Sequence, residues 1–425
     1  MSMSMLKNFN INLEYKGNIL HINNVNIINL AKEFSSPLYI YSYDALQINF
    51  LKYQNALSNI KHLICFAVKT NYNSRILKEF KELGAGFDTV SMGEIYKAIN
   101  IGVDPKKIVY AGVGKTDEEI KFAIENNILM FNVESVDELN QINEIAAKLN
   151  KVVNIAFRVN PDVDPKTHHY ISTGLAKNKF GIDINIIPDI YKYAKNLKNI
   201  NPNGIHCHIG SQLLDLSPYK EVFKKIINLF NTLKSEGINI DYINIGGGLG
   251  ICYDNNKDIA PDPKDLIDEN FSNFIKNNNI TLILEPGRSL IGNAGILLTK
   301  VIYQKQNKLK NFIIVDAGMN DLIRPSLYGA YHNILPVKNK NSNQITADIV
   351  GPICESGDFL AKDKEIQKPI NGDYLVALSA GAYAFSMSSN YNSRMKPAEV
   401  LIKDEKAVLI RKRESLKDLL TNEII

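Results

Sequence analysis

Cysteine is scarce in this chain, with four among 425 residues, and no two of them form a CxxC pair. Scattered single cysteines predict free thiols in a reducing cytoplasm. The formal net charge of +4 is small for this length, and no basic face alternates with aromatic residues. Nucleic acid is therefore not an expected partner.

Long apolar runs are also missing from the sequence. No run approaches the roughly 18 residues of a membrane span, and the N-terminal MSMSMLKNFNINLEYKGN lacks the apolar segment of a secretory signal. These features predict a cytoplasmic protein without a membrane partner. The content of 45% apolar and 22% charged residues is typical of a globular protein, and the length favours two domains.

Short β-rich runs recur through the middle of the chain, and most are separated by stretches with helical spacing such as SVDELNQINEIAAKL. The candidate strands are residues 62–69, 86–90, 108–112, 128–133, 153–160, 203–210, 242–247 and 282–287. Eight strands alternating with helices predict a closed (β/α)8 TIM-type barrel of α/β class. An open doubly wound sheet is the alternative, although such sheets usually have fewer strands.

After about residue 290 the pattern changes to strands joined by turns, such as GILLTKVIYQ and AEVLIKDEKAVLIR, without long amphipathic helices. This pattern predicts an all-β domain, a β-sandwich or β-barrel, completed by N-terminal strands near residues 11–28. We place the barrel at residues 35–290 and the β domain at residues 1–34 and 291–425.

The stretch FAVKTNYN places Lys69 where a buried strand ends in a polar loop. A single lysine there most often only reaches solvent, so the other strand ends have to be considered. In this fold the catalytic groups sit at the C-terminal ends of the strands. The residues expected at that rim are Lys69, Asp88, Arg158, His206, His208, Ser211, Gly246–Gly248 and Glu285–Arg288.

A glycine-rich turn after strand 7 and Arg288 after strand 8 indicate a phosphate site, because these loops bind phosphate in many such barrels. A phosphate and a lysine on one rim suggest pyridoxal phosphate, joined to Lys69 through a Schiff base. Glu285 would face the ring nitrogen and keep it protonated, which favours loss of CO2. His208 could stack on the ring.

The two histidines of HCHIG, His206 and His208, also allow a zinc-dependent hydrolase, because side chains two apart on a strand point the same way. Such a site needs further ligands at other strand ends. The remaining histidines, His21, His62, His168, His169 and His332, are not at such ends. The metal site is the weaker interpretation.

The chain resembles the pyridoxal-phosphate decarboxylases built on an alanine-racemase-like barrel, and within them the diaminopimelate decarboxylase branch. The motifs that carry the resemblance span nearly the whole chain: FAVKTNYN, GFDTVSMGE, FRVNPDVDPKTHHYISTG, HCHIGSQ, INIGGGLGICY, EPGRS, DAGMNDLIRPSLYGAYH, GPICESGD and GAYAFSMSSNYNSR. One departure is Thr70, where alanine is common in the family.

The resemblance implies Lys69, His208 and Cys354 as catalytic residues, with Cys354 as the acid that protonates the carbanion after CO2 leaves. It implies that the cofactor is bound by Lys69, Asp88, His208, Ser211, Gly248, Glu285, Pro286, Gly287, Arg288 and Tyr383. For the substrate, meso-diaminopimelate, it implies Arg288, Arg324, Tyr328, Glu355 and Tyr383. It also implies a homodimer in which CESGD completes the partner's active site.

Two arginines and one acid match a substrate that keeps a carboxylate and an ammonium group at its distal end. This chemistry predicts conversion of meso-2,6-diaminopimelate to L-lysine and CO2, the last step of lysine biosynthesis. Two alternatives remain. One is a decarboxylase of another basic amino acid, of the ornithine, arginine or carboxynorspermidine type; the other is a non-catalytic homologue.

Overall fold

The structure, a computed structural model, describes residues 11–164, 179–255, 257–340 and 342–424. Most of the motif FRVNPDVDPKTHHYISTG, with His168 and His169, therefore lies outside the described residues. The chain divides into two compact units. One comprises residues 50–250 and 260–289, and the other comprises residues 1–49, 251–259 and 290–425. The domain boundaries placed near residues 35 and 290 stay a prediction.

The N-terminal segment contains a three-stranded antiparallel meander, a helix, a further strand and the first long helix. These elements are β1 (Leu13–Lys16), β2 (Ile19–Ile22), β3 (Val25–Asn26), α1 (Ile27–Phe34), β4 (Leu38–Ser42) and α2 (Tyr43–Ala56). The side chain of Asn26 accepts hydrogen bonds from the first backbone N–H groups of α1 and so fixes where that helix begins.

A parallel sheet forms the core of the first unit. Its strands are β5 (His62–Ala67), β6 (Gly86–Thr89), β7 (Ile108–Tyr110), β8 (Met130–Val133), β9 (Val153–Asn160), β10 (Ile182–Asp183), β11 (Ile200–His206), β12 (Tyr242–Asn244) and β13 (Thr281–Leu284). The short β10 pairs only with β9. Each of the other eight strands pairs with the strand on either side of it in the barrel, and β13 pairs with β5. This pairing closes the eight-stranded barrel, which confirms the predicted fold and rules out an open sheet.

Helices connect the barrel strands: α3 (Ser74–Glu82), α4 (Met92–Asn100), α5 (Asp117–Glu125), α6 (Val136–Lys148), α7 (Ile187–Lys195), α8 (Ser217–Ser235) and α9 (Glu269–Asn277). Several begin at a residue whose side chain accepts a backbone N–H of the first turn, such as Asn73 and Ser135. At α5, Thr116 and Glu119 form a reciprocal capping box. None of the helices in the described part of the chain is long and apolar enough to span a bilayer.

The second unit is built mainly from β-strands, as predicted. After the short α10 (Arg288–Ile291), the elements are β14 (Gly295–Gln306), β15 (Asn311–Val315), α11 (Arg324–Tyr328), β16 (Ile334–Pro336), β17 (Gln344–Val350), β18 (Phe359–Gln367), β19 (Tyr374–Ala377), β20 (Ala398–Lys403) and β21 (Lys406–Arg411). The main sheet has the order β18-β17-β15-β14-β4-β20-β21, and β19 pairs with both β14 and β16.

An N-terminal strand completes this β sheet, as predicted, but it is β4, which pairs with β14 and β20. The strands near residues 11–28 form their own meander instead. The backbone N–H of Leu20 in that meander donates to the carbonyl of Val337, the residue after β16, at 2.8 Å.

Candidate active site

Lys69 lies at the C-terminal rim of the barrel, in a 3-10 turn that follows β5. Its Nζ donates to Asp88 Oδ2 at 2.7 Å, and 41% of its side chain is exposed. Asp88 is completely buried on β6. Burial raises the pKa of Asp88 to about 6, the charge of Glu285 adds to the rise, and Lys69 opposes it. A charged lysine that a small molecule can reach is therefore held against a carboxylate.

Glu285 follows β13 and is buried at the same rim. Its Oε1 accepts hydrogen bonds from Asn132 Nδ2 at 3.1 Å and from Asn244 Nδ2 at 2.6 Å. Its Oε2 lies 3.4 Å from His206 Nε2. Burial alone would raise the pKa of Glu285, but His206, Lys69 and Asn244 outweigh burial and lower it. Glu285 is therefore a buried carboxylate that stays ionised.

His208 follows β11, and its Nδ1 accepts a hydrogen bond from the backbone N–H of Gly247 at 3.2 Å. Burial lowers the pKa of His208 well below its usual value, and the nearby charges of Arg158 and Lys69 add to this effect. The ring is therefore neutral, with Nδ1 as acceptor and the proton on Nε2. Arg158 itself pairs with Glu134 at 2.7 Å.

The glycine-rich turn after β12 lies close to neighbouring loops. Gly248 has a φ of +116°, and a Cβ there would lie 2.4 Å from the carbonyl oxygen of Gly210. In the next loop, Arg288 Nη2 donates to Ser211 Oγ at 3.1 Å. Ser211 and Arg288 thus bring a hydroxyl and a guanidinium together beside this turn, which is chemistry suited to a phosphate.

The Pro286–Gly287 segment fits tightly against the loop that carries Lys69. The carbonyl of Pro286 accepts the N–H of Ala67 at 3.1 Å. A Cβ at Gly287 would lie 2.3 Å from the methyl group of Thr70, so a glycine is needed there. Thr70, the residue that departs from the family pattern, is fully buried, and its hydroxyl donates to the carbonyl of Ala67 at 2.7 Å.

In the second unit, Arg324 begins α11 and is buried. Its Nη1 lies 2.9 Å from His332 Nε2, while His332 Nδ1 lies 2.8 Å from the carbonyl oxygen of Leu378. Since that carbonyl can only accept, the proton sits on Nδ1 and Nε2 accepts from the guanidinium. The ring of Tyr253 stacks against the same guanidinium, whose central carbon Cζ lies 4.7 Å from the centroid of that ring. Tyr328 is half-buried at the end of α11.

Cys354 and Glu355 are exposed at the tip of the CESGD loop in the same unit. The backbone N–H of Cys354 donates to Asn392 Oδ1 at 2.8 Å. The Oδ2 of Asp358 accepts the N–H of Ile353 at 2.7 Å, and its Oδ1 accepts the N–H of Met319 at 2.6 Å. These bonds fix a loop whose tip points to solvent.

Tyr383 is half-buried and has a φ of +55°, in the left-handed region that a tyrosine rarely adopts. Non-glycine residues in this region are frequent at functional sites, where the surrounding structure maintains the strained backbone. This observation supports a functional role for Tyr383.

The structure thus brings one set of predicted residues together at the barrel rim, and the remaining predicted residues belong to the second unit. The first set is Lys69, Asp88, His208, Ser211, Gly248, Glu285, Pro286, Gly287 and Arg288. The second is Arg324, Tyr328, Cys354, Glu355 and Tyr383. Among the described residues, no group of three His, Cys, Asp or Glu side chains is arranged to hold a metal ion.

Sequence reasoning assigned no role to Asn132, Asn244 or Glu94. Glu94 lies near Lys69; burial raises the pKa of Glu94 to about 7, against the opposing effects of its hydrogen bond from the Val90 N–H and of Lys69. The signal for Asn132 was available, because a carboxamide inside the apolar strand MFNV is unusual.

Comparison with known proteins identifies the group to which these features belong. Residues 44–292 match the family model described as pyridoxal-dependent decarboxylase, pyridoxal binding domain. The diaminopimelate decarboxylase of Aquifex aeolicus is 53% identical over 413 residues, 97% of each chain. The crystal structure of the Methanocaldococcus jannaschii diaminopimelate decarboxylase superposes with a TM-score of 0.91 at 42% identity, covering 97% of this chain and 98% of that one. The crystal structure of the Helicobacter pylori diaminopimelate decarboxylase, complexed with L-lysine, superposes with a TM-score of 0.88 at 41% identity. The match covers 94% of this chain and 99% of that one.

Proposed function

The chain belongs to the diaminopimelate decarboxylases, a family of pyridoxal-dependent decarboxylases, and from this premise we propose how its residues carry out the reaction. The protein decarboxylates meso-2,6-diaminopimelate to L-lysine and CO2, the last step of lysine biosynthesis. The observation that carries the assignment is the identity to family members, 43–53% along nearly the whole chain, together with the paired Lys69 and ionised Glu285 at one rim.

The rim residues fit pyridoxal phosphate, because their chemistry matches each part of that molecule. Lys69 supplies the amine for the aldehyde, and the ionised Glu285 suits a protonated ring nitrogen. The neutral ring of His208 provides a flat face for stacking. Ser211, Gly248 and Arg288 would bind the phosphate. When bound, the cofactor supplies an electron sink for the electron pair that departing CO2 leaves behind.

The chain's own residues control the protons and charges around the cofactor. Glu285 keeps a negative charge beside the ring nitrogen and so favours a proton there. Asp88 holds the Lys69 amine in place through the 2.7 Å bond. Cys354 donates the proton that replaces the lost carboxylate on the substrate carbon. The result is lysine, in which a C–H bond stands where the C–CO2 bond was.

The substrate has charged groups at its distal end that need partners. Arg288 and Arg324 would pair with carboxylates and Glu355 with the distal ammonium group, while Tyr328 and Tyr383 would complete the pocket. Arg324 supports this role, because His332 and Tyr253 fix its guanidinium in one orientation. A preorganised arginine loses little conformational freedom when it binds a carboxylate.

We also infer a cytoplasmic homodimer with shared active sites. The exposure of Cys354 and Glu355 supports sharing, since an acid that serves a partner's site must lie on the protomer surface. The four cysteines are free thiols, in keeping with a reducing compartment.

The assay that tests the function supplies purified protein and pyridoxal phosphate with meso-diaminopimelate, lysine or ornithine, and measures CO2 and amine products. Meso-diaminopimelate should be decarboxylated rapidly. Lysine and ornithine lack the distal carboxylate that an arginine of the site would bind, and they should react poorly. Comparable rates with ornithine would instead assign the protein to the decarboxylases of other basic amino acids.

A further inference from the structure

A layer of polar side chains lies inside the barrel next to its C-terminal rim. Residues two apart on a strand share a face, so Asn132 lies one step beyond the buried Met130, and Glu285 one step beyond the buried Ile283. Met130 and Ile283 belong to the same cluster of buried apolar residues, contributed by several barrel strands. The carboxylate of Glu285 therefore rests on an apolar floor, where an isolated charge would be unstable.

Two carboxamides compensate for this burial, and both bind the same oxygen of Glu285. Asn132 on β8 and Asn244 on β12 donate to Oε1 at 3.1 and 2.6 Å. The orientation of the Asn244 amide is fixed, because its Oδ1 accepts the N–H of Gly246 at 2.9 Å. In the described residues, Oε2 has no amide donor and lies 3.4 Å from His206 Nε2.

The backbone carbonyl of Asn132 is bound by a lysine from the loop that follows β7. The side chain of Lys115 is only 1% exposed. Its Nζ donates to the carbonyl of Asn132 at 2.9 Å and to Glu138 Oε1 at 2.6 Å. This ion pair fixes the end of β8 and with it the Asn132 side chain. Two strands on different sides of Glu285 thus supply rigid donors to one atom.

We propose that Asn132 and Asn244 are positioning residues: they bind Oε1 of Glu285, help His206 keep the side chain a carboxylate, and leave the other oxygen, Oε2, which faces His206, for the ring nitrogen of pyridoxal phosphate. The inference rests on the proposed function for the identity of the cofactor. The physical reason is that hydrogen bonds from two amides favour the charged form of a buried acid. If Glu285 became a neutral acid, it would no longer stabilise a proton on the ring nitrogen.

The test replaces each asparagine by a leucine of similar size, in Asn132→Leu and Asn244→Leu, with Asn132→Ala and Asn244→Ala as milder variants if folding fails. Each protein is loaded with pyridoxal phosphate labelled with 15N in the ring. The 15N chemical shift should report a protonated ring nitrogen in the unaltered protein and a shift toward the unprotonated value in the variants. Each variant should also lose roughly 10–100-fold in kcat, the effect of one charge-assisted hydrogen bond.

Asn203→Leu is the matched control. Asn203 is another buried asparagine of the barrel, on β11, and its Nδ2 donates to a carboxylate, Asp241 Oδ2, at 3.0 Å. Asn203→Leu should lower the thermal stability of the protein and leave the 15N chemical shift of the ring nitrogen unchanged. A structural role alone would lower the stability of all the variants without moving the nitrogen signal selectively.

An unchanged nitrogen signal in cofactor-loaded variants of Asn132 and Asn244 would overturn the proposal, and so would an equal displacement in Asn203→Leu. The proposed function is checked separately in the unaltered protein with meso-diaminopimelate. If that protein binds the cofactor but releases no lysine, the proposed function is wrong, while the nitrogen signals of the variants still decide the role of the two asparagines.

Discussion

Lys69 is paired with a fully buried carboxylate, yet 41% of its own side chain is exposed. We expect Lys69→Ala to lose the visible absorbance that pyridoxal phosphate shows when bound to a lysine, together with nearly all turnover. Circular dichroism should show a retained fold. Lys78→Ala removes an exposed lysine from the adjacent α3 and should change neither property. A variant at Lys69 that kept its visible band and activity would show that another lysine binds the cofactor.

Asp321, in the second unit, gives that unit a pH-dependent stability. Burial raises its pKa to about 7, although the N–H of Gly318 and the charge of Arg394 oppose the rise. The unfolded chain releases this proton near pH 4, so the folded state binds the extra proton between about pH 4 and 7. The contribution of Asp321 to stability is therefore full below about pH 4 and is lost as the pH rises through 7.

The raised pKa of Asp321 predicts that Asp321→Asn makes the free energy of unfolding less dependent on pH. Between pH 5 and pH 8 the unaltered protein should lose about 3 kcal/mol of unfolding free energy through this group, and the variant should not. Urea denaturation at the two pH values measures the difference. Asp404→Asn changes an exposed turn residue after β20 and should behave like the unaltered protein. Equal pH dependence in Asp321→Asn and the unaltered protein would mean that Asp321 does not cause the loss.

At the scale of elements, one aspartate holds the CESGD loop. Asp358 accepts backbone N–H groups from Ile353 and from Met319, one with each oxygen. Asp358→Asn keeps the size but turns one acceptor into a donor that faces an N–H, which should cost about 1–3 kcal/mol. We expect kcat to fall because Cys354 and Glu355 are displaced, while the visible band of the bound cofactor stays unchanged.

Asp363→Asn is the comparison for this loop. Asp363 lies on β18, is 69% exposed and pairs with Lys310 at the surface, a type of contact that contributes little. The variant Asp363→Asn should retain full activity. If Asp358→Asn turned over substrate as fast as the unaltered protein, the loop tip would not serve the reaction.

The barrel was predictable because each of its strands is a short buried run that ends in polar residues, a local pattern. The position of β4 within the second sheet was not predictable. Its sequence LYIYS is buried throughout, and such a run shows only that it lies inside a sheet. The neighbours of β4 are β14 and β20, more than 250 residues away in the chain. Pairing over that separation depends on the assembled fold rather than on local pattern.

The same distinction separates the predicted site residues from those that were missed. Lys69 and Glu285 stand at strand ends, and fold class alone places strand ends at the rim. Asn132 and Asn244 act through inward-facing side chains that meet Glu285, and which side chains meet depends on the register between strands. For example, Asn244 is paired with Ile283. Register cannot be derived from the individual strand sequences.

At the scale of the whole molecule, the proposed site residues are divided between the two compact units. Lys69 and the other predicted cofactor-binding residues except Tyr383 lie in the barrel unit, and Cys354 and Glu355 lie exposed in the other unit. If the homodimer shares its active sites, each site takes Lys69 from one protomer and Cys354 from its partner. Lys69→Ala and Cys354→Ala then damage different halves of each composite site.

Mixing these two inactive variants under conditions that exchange subunits should restore activity. In a heterodimer one site carries both lesions and the other carries neither. Random exchange makes half of the dimers mixed, and each has one intact site of two, so about a quarter of full activity should return. Activity is measured as lysine formed from meso-diaminopimelate, with gel filtration of the mixture to establish that dimers are present.

A second mixture separates sharing from any other effect of mixing. Lys69 and His208 belong to the same barrel, so heterodimers of Lys69→Ala with His208→Ala carry one lesion in each site, whether sites are shared or not. That mixture should stay at the level of its two components. A site built within one chain predicts no gain in the Lys69→Ala and Cys354→Ala mixture either, because each chain then keeps its own lesion. No gain despite proven exchange would place Cys354 at the cofactor of its own chain.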